Sequence, residues 1–118
     1  MDADHPRIVR TRIPLAVVSE LASLRFGDMV KAAVDISRGI MAIGGELHSD
    51  EEAVLLEDGS SQSDIWGINL YPAESGDAWL EFDSMINVRP SKGNRSRGVE
   101  DPGLQSRVRD VVRSLIDR

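Results

Sequence analysis

The sequence MVKAAVDISRGIMAI, at residues 29–43, decides the fold because it joins two apolar runs through a short polar break. The runs at residues 29–36 and 40–43 are rich in valine, isoleucine and alanine, and their length is typical of strands. Ser37, Arg38 and Gly39 lie between them, which is the spacing of a hairpin turn. The stretch therefore predicts two consecutive antiparallel strands.

The segments around this hairpin predict the remaining strands. Residues 8–12, 64–71 and 78–89 alternate apolar with polar side chains, which is the pattern of strands with one face on the core. With the helices described next, the element order is β-α-β-β-α-β-β-α. This order predicts an α+β domain with a mainly antiparallel sheet of about five strands and helices on one face.

Three helix starts are recognisable from their capping residues. Pro14 suits the first position of a helix, and Ser49 with Glu52 forms an S-x-x-E capping box. Asp101 followed by Pro102 predicts the start of a third helix, whose apolar residues recur at helical spacing to the end of the sequence.

Length and composition bound the class of protein. We expect a single domain over residues 1–118, with residues 1–6 as a disordered tail. The absence of cysteine excludes disulfides, thiolate metal ligands and cysteine nucleophiles. The sequence begins MDADH, without the apolar region of a secretory signal, and no apolar run approaches the roughly 20 residues of a membrane helix. These features predict a cytoplasmic protein that is not embedded in a membrane.

The charges are unevenly distributed along the chain. Residues 41–86 carry eleven acidic and no basic side chains, whereas residues 87–118 carry eight basic and four acidic ones. The two segments either pair internally in the fold or leave an acidic region for a cation or a basic partner. The net charge of -6 makes nucleic acid an unfavourable partner. Binding to single-stranded nucleic acid would use Arg89, Arg95, Arg97 and Trp79.

Alternation along the later strands gathers polar side chains on one face of the sheet, if no bulge at Ser84 shifts the register. On that face, Glu81 and Asp83 are candidates for acid/base work or for cation ligands. The other candidates are ligand-binding residues: Asn69, Tyr71 and Asn87 to orient a ligand, and Arg89 to hold an anion. The alternatives are ordinary solvated cross-strand pairs, or a partly apolar face buried in a homodimer.

The densest acidic segment, residues 46–52, contains His48. This histidine is a candidate general base, and with Glu46 and Asp50 it is a candidate ligand of a divalent metal cofactor. The competing interpretation is a capped helix start, in which carboxylates complement the helix dipole.

The loop SKGNRSRG, residues 91–98, is the candidate anion-binding segment. Its glycines free backbone N–H groups, and Asn94, Arg95 and Arg97 supply donors ahead of a helix N-terminus. It does not match the Walker pattern, and no G-x-S-x-G sequence supports serine catalysis. The alternative is that the two arginines pair internally with the acidic segment.

Four motifs resemble those of an uncharacterised family of small prokaryotic proteins, a domain of unknown function. The resemblance covers about residues 25–101 and implies no known reaction, cofactor, partner or catalytic residue. The motifs are RFGDMVKA at 25–32, GGELH at 44–48, WGIN at 66–69 and GNRSRG at 93–98.

Taken together, the residues favour binding of a small anionic ligand at the polar sheet face and the arginine-rich loop. Metal-assisted or acid/base chemistry would be available there, although whether the protein is an enzyme stays open. A non-catalytic homodimeric interaction module is the alternative function.

Overall fold

A computed structural model describes residues 5–118, and its centre is an antiparallel sheet of five strands. The structure therefore confirms the α+β class and the sheet. The strands are β1 (Arg7–Val9), β2 (Ile13–Pro14), β3 (Val30–Asp35), β4 (Ile40–Ile43), β5 (Ile65–Leu70), β6 (Leu80–Glu81) and β7 (Ile116–Asp117). The order in the sheet is β1-β4-β3-β5-β6, and a separate two-residue parallel pair joins β2 to β7. Most of the expected tail, residues 1–4, lies outside the described residues, and Pro6 is buried.

Three α-helices surround the sheet: α1 (Leu15–Arg25), α2 (His48–Glu57) and α3 (Pro102–Leu115). Helix α3 begins as predicted, since the Asp101 side chain accepts a hydrogen bond from the Gly103 N–H at 2.8 Å. Helix α2 begins one residue before the predicted cap at Ser49. There the Asp50 carboxylate accepts from the Leu47 N–H at 3.3 Å, so Asp50 is the capping side chain. None of the helices in residues 5–118 is long and apolar enough to cross a membrane.

The predicted hairpin forms β3 and β4, and β3 lies at the middle of the sheet. Val30, Ala32 and Val34 face α1 and α3 in the larger core cluster. Ala33 faces the other way and packs with Leu55 of α2 in a second cluster. Since successive side chains of a strand point to opposite faces, α2 covers the face opposite to α1 and α3. The helices thus lie on both faces, whereas one face was expected, because apolar residues on both sides of β3 need cover.

The segment expected as one long strand over residues 78–89 is broken. Only Leu80–Glu81 is strand, preceded by a 3-10 turn at Gly76–Trp79 and followed by another at Met85–Asn87. The Ser84 hydroxyl accepts from the Ile86 N–H at 3.2 Å, and this local bond replaces the ladder with a turn. The 3-10 turn at Gly76–Trp79 places Trp79 in the larger core cluster.

Gly67 of β5 allows the turning segment to lie close to the sheet. A Cβ atom at this position would be 2.6 Å from Ser84 Cβ, well inside van der Waals contact. The bare backbone of Gly67 instead pairs with the Asn87 side chain, which accepts from its N–H at 2.8 Å and donates to its carbonyl at 2.9 Å. The glycine in the WGIN segment is therefore required for close approach.

Candidate functional site

Four of the predicted site residues come together on the face of the sheet that α2 covers, and we call them the polar cluster: His48, Asn69, Tyr71 and Glu81. Asn69 of β5 lies opposite Glu81 of β6 in the antiparallel register. The Asn69 side chain donates to Glu81 Oε1 at 2.8 Å, and the Tyr71 hydroxyl donates to the same oxygen at 3.0 Å. Strand pairing thus places these groups together, as alternation predicts.

The Glu81 carboxylate is held at one oxygen and open at the other. Glu81 is exposed, and no described residue donates to its Oε2. Burial, followed by the neighbouring Glu81, raises the pKa of Tyr71, so the phenol remains protonated and serves as a donor. The arrangement leaves Oε2 available as an acceptor of fixed orientation.

His48 is the first residue of α2 and is buried against the sheet. Its Nε2 lies 2.8 Å from the Ile68 carbonyl oxygen, and because a carbonyl can only accept, Nε2 carries the proton. Burial lowers the pKa of His48, while the Ile68 carbonyl and the Asn69 side chain oppose the shift. The ring is therefore neutral near pH 7, with Nδ1 as its basic nitrogen.

Glu51 is a buried titratable residue that sequence reasoning missed. It has 0% exposure, and its Oε2 accepts from the Gly45 N–H at 2.6 Å, while Oε1 has no hydrogen-bond partner. Burial raises the pKa of Glu51 to about 9. The signal in the sequence is its position three residues after His48, which places both on one face of α2.

The residues proposed as metal ligands do not converge. Glu46 and Asp50 are exposed, Asp50 caps α2, and His48 turns its Nε2 to the Ile68 carbonyl. Within residues 5–118, no three histidine or carboxylate side chains form a group that could hold a metal ion. The geometry thus gives no support to a divalent metal at this helix start.

Asn87 and Asn94, proposed as ligand-binding residues, hold backbone segments together. Asn87 joins Gly67 to the loop by donating to the Arg97 carbonyl at 2.9 Å. The Asn94 amide donates to the carbonyls of Asn87 and Gly98, each at 2.8 Å. Both asparagines are buried, so their side chains are used inside the fold.

The arginine-rich loop already contains an anion from its own chain. The backbone N–H groups of Arg95 and Ser96 both donate to Glu100 Oε2, each at 2.8 Å, and these bonds lower the pKa of Glu100. Arg97 pairs with Asp83 at 2.6 Å. Internal pairing with the acidic segment is thus seen for Arg97, whereas Arg95 contributes its backbone N–H to Glu100.

Arg89 lies at the edge of the sheet, with 11% of its side chain exposed. Its guanidinium stacks on the Trp66 ring at 4.7 Å, donates to the Ile65 carbonyl at 2.6 Å, and lies 3.6 Å from Glu52. Burial lowers the pKa of Arg89. A cavity of about 650 Å³ adjoins it and includes Lys92. The positive charge of Arg89 is already offset by Glu52.

A second group of arginines lines a cleft of about 390 Å³. The sequence did not predict that these residues lie together. It lies where α3, β7 and the 3-10 turn at Gly76–Trp79 meet, and we call it the arginine cleft. Helical spacing could have paired Arg109 with Arg113, but only tertiary structure adds the residues from the two ends of the described chain. Its arginines are Arg12, Arg109, Arg113 and Arg118.

A third cleft of about 380 Å³ lies next to the arginine cleft and has the opposite charge. The two clefts share Asp77 and Leu80. We call this one the acidic cleft, after the carboxylates of Glu74, Asp77 and Glu81. Through Tyr71 and Glu81, it is continuous with the polar cluster.

Comparison with protein-family models gives one match, which spans residues 7–115. The family is described as a protein of unknown function (DUF5674), in agreement with the resemblance carried by the four motifs. Comparison with curated proteins and with solved structures gives no significant match. Because the family model covers nearly the whole sequence, this chain belongs to the family DUF5674.

Proposed function

We propose that this protein binds a small anionic molecule in the arginine cleft. The proposal rests on one observation about Arg109 and Arg118. Neither forms an ion pair with a carboxylate of the described residues. Each is held over an aromatic ring instead, Arg109 over Phe82 at 5.1 Å and Arg118 over Trp79 at 4.3 Å. Stacking of this kind fixes the direction of a guanidinium without neutralising its charge.

The other two arginines of the cleft are only weakly neutralised. Arg12 lies 3.4 Å from Asp117, and Arg113 lies 3.0 Å from Asp110. Both pairs are more than half exposed, and exposed pairs of this kind contribute about 1 kcal/mol or less. An incoming phosphate or carboxylate can therefore recruit these two guanidinium groups at little cost.

The size and chemistry of the cleft fit a small phosphate or carboxylate compound. A volume of about 390 Å³ is at the lower end of the range for small-molecule sites. Planar guanidinium groups form paired, charge-assisted hydrogen bonds with these anions. The predicted ligand class is thus retained, but it is assigned to different arginines from those of the loop.

The proposal is tested by titrating the protein with pyrophosphate and measuring heat of binding. Arg109→Gln is expected to weaken binding about tenfold, which is the scale of one charged hydrogen bond. Arg107→Gln is the matched control, since Arg107 is an exposed residue of the same helix that does not line the cleft. Equal weakening by both variants, or no binding at millimolar pyrophosphate, would overturn the proposal.

Folding of the variants is checked separately, because Arg109 also stacks on Phe82. Amide chemical shifts of the wild-type protein provide a second reading that needs no variant. Pyrophosphate should shift the resonances of residues lining the arginine cleft and leave those of the loop at residues 91–98 unchanged. Shifts confined to that loop would contradict the proposal.

The homodimeric interaction module remains a prediction. Helix α2 lies over the sheet face considered for such a dimer, whereas β1 is an edge strand and is the other surface available for pairing. Light scattering at high micromolar concentration distinguishes a dimer from a monomer. A cytoplasmic location and weak affinity for nucleic acid likewise remain predictions.

A further inference from the structure

We propose that the ligand of the arginine cleft also carries a primary amine, which lies in the acidic cleft and is bound by Glu81. The proposal rests on the anion site described above and adds the second half of the ligand. The ligand class is a small zwitterion, with a phosphate or carboxylate at one end and an ammonium group at the other.

The first support is the separation of charge between two adjoining clefts. Arg109 and Arg118 have no carboxylate partner among residues 5–118, and the same part of the chain supplies no cationic partner to the carboxylates of the acidic cleft. The two sets meet at Asp77 and Leu80, yet they do not neutralise each other. Arg118 even donates to the backbone carbonyl of Glu74, at 2.7 Å, rather than to its carboxylate. A ligand with both charges would pair with both sets at once.

The second support is the way in which Glu81 is held. An exposed carboxylate is stable in water without protein donors, so two donors on one oxygen are not needed to solvate it. Asn69, which is 5% exposed, nevertheless donates its amide to Glu81 at 2.8 Å as well as to the Asp83 carbonyl at 3.3 Å, while its own Oδ1 is buried without a hydrogen-bond partner. The buried Asn69 amide and the Tyr71 hydroxyl therefore fix the direction of this carboxylate, as is typical of binding groups.

The third support is the sign of the charge that the acidic cleft can accept. Glu74, Asp77 and Glu81 together repel a second anionic group, and the Tyr71 hydroxyl already donates to Glu81. The open Glu81 Oε2 can accept a hydrogen bond, and an ammonium group supplies both the hydrogen and the complementary charge. A primary amine therefore fits this cleft better than a hydroxyl or a carboxylate.

The test uses ω-aminoalkyl phosphonates with two to six methylene groups, each compared with the alkyl phosphonate that lacks the amine. In calorimetric titrations of the full chain, one chain length is expected to bind at least tenfold more tightly than its amine-free counterpart. Glu81→Gln should remove that tenfold gain and leave the affinity for the alkyl phosphonate unchanged. Glutamine keeps an oxygen for Asn69 and Tyr71, so the variant changes charge rather than packing.

Glu57→Gln is the control, because Glu57 is an exposed glutamate of α2 outside both clefts. Retention of the full gain in Glu81→Gln, or its equal loss in Glu57→Gln, would overturn the inference. Equal gain from ω-hydroxyalkyl phosphonates would overturn the choice of an amine. Binding of alkyl phosphonates without any gain from the amine would refute this inference and leave the anion site standing. Absence of binding by every phosphonate would refute both.

Discussion

Replacement of Glu51 by glutamine should remove a large pH dependence from the stability of the fold. Glu51 is completely buried, and its pKa of about 9 compares with an ordinary value of 4.5 in the unfolded chain. Between these two values, the folded state keeps a proton that the unfolded state has lost. The stability that this proton provides is fully present below pH 4.5 and is lost as the pH rises through 9.

The magnitude follows from the proton count. One proton held only by the folded state changes the free energy of unfolding by about 1.4 kcal/mol for each pH unit. Between pH 5 and pH 8, the wild-type protein should therefore lose about 4 kcal/mol relative to Glu51→Gln. Glutamine keeps an acceptor for the Gly45 N–H and cannot ionise. Its buried amide lowers stability by a similar amount at every pH, so the pH dependence of the difference is diagnostic.

The assay is urea unfolding of both proteins at pH 5, 6, 7 and 8. The control is Glu46→Gln, which removes an exposed carboxylate from the same segment and should follow the wild-type curve. Titration of His48 acts alike on all three proteins and cancels in the comparison. If the wild-type and Glu51→Gln stabilities stay parallel across this range, the reasoning about the buried carboxyl group is wrong.

Three further predictions concern stability. Since burial lowers the pKa of His48, the wild-type protein should lose stability relative to His48→Gln as the pH falls from 6.5 to 5. Unfolding curves of both proteins at these two pH values test this prediction. Asn94→Ala should lower the free energy of unfolding by about 3 kcal/mol, at about 1 kcal/mol for each lost hydrogen bond. A loss below about 1 kcal/mol in urea unfolding would contradict the bridging role of Asn94. Gly67→Ala should lower the free energy of unfolding by about 1–3 kcal/mol, because the added Cβ overpacks against Ser84. Adding Ser84→Gly removes the Cβ that it contacts, so the double variant should recover part of the lost stability in thermal unfolding.

The parts of the fold that the sequence predicts are those with local signals. The β3–β4 hairpin follows from two apolar runs and a short turn, and α3 follows from Asp101 with its apolar stripe. The segment after β6 could not be predicted in the same way. Its side chains alternate well enough for a strand, but the hydrogen bonds of Ser84 and Asn87 outweigh that pattern.

The candidate site was likewise predictable only where local patterns determine which residues lie together. Alternation and strand pairing bring Asn69, Tyr71 and Glu81 together, as the sequence predicts for one face of a sheet. The arginine cleft depends on Arg12 and Arg118, which are far apart in sequence and meet only because β2 pairs with β7. Burial of Glu51 also needs tertiary information, since a glutamate in a first helical turn is ordinarily exposed.

The Glu100 carboxylate, which is bound by the N–H groups of the arginine-rich loop, has a consequence for competition with dissolved anions. Because it is tethered only four residues from Ser96, it competes intramolecularly with any free anion for the loop amides. Phosphate added to a buffer at low millimolar concentration should therefore not displace Glu100 from the loop amides. Exchanging Glu100 for glutamine would remove the negative charge and so weaken this internal competition with external anions.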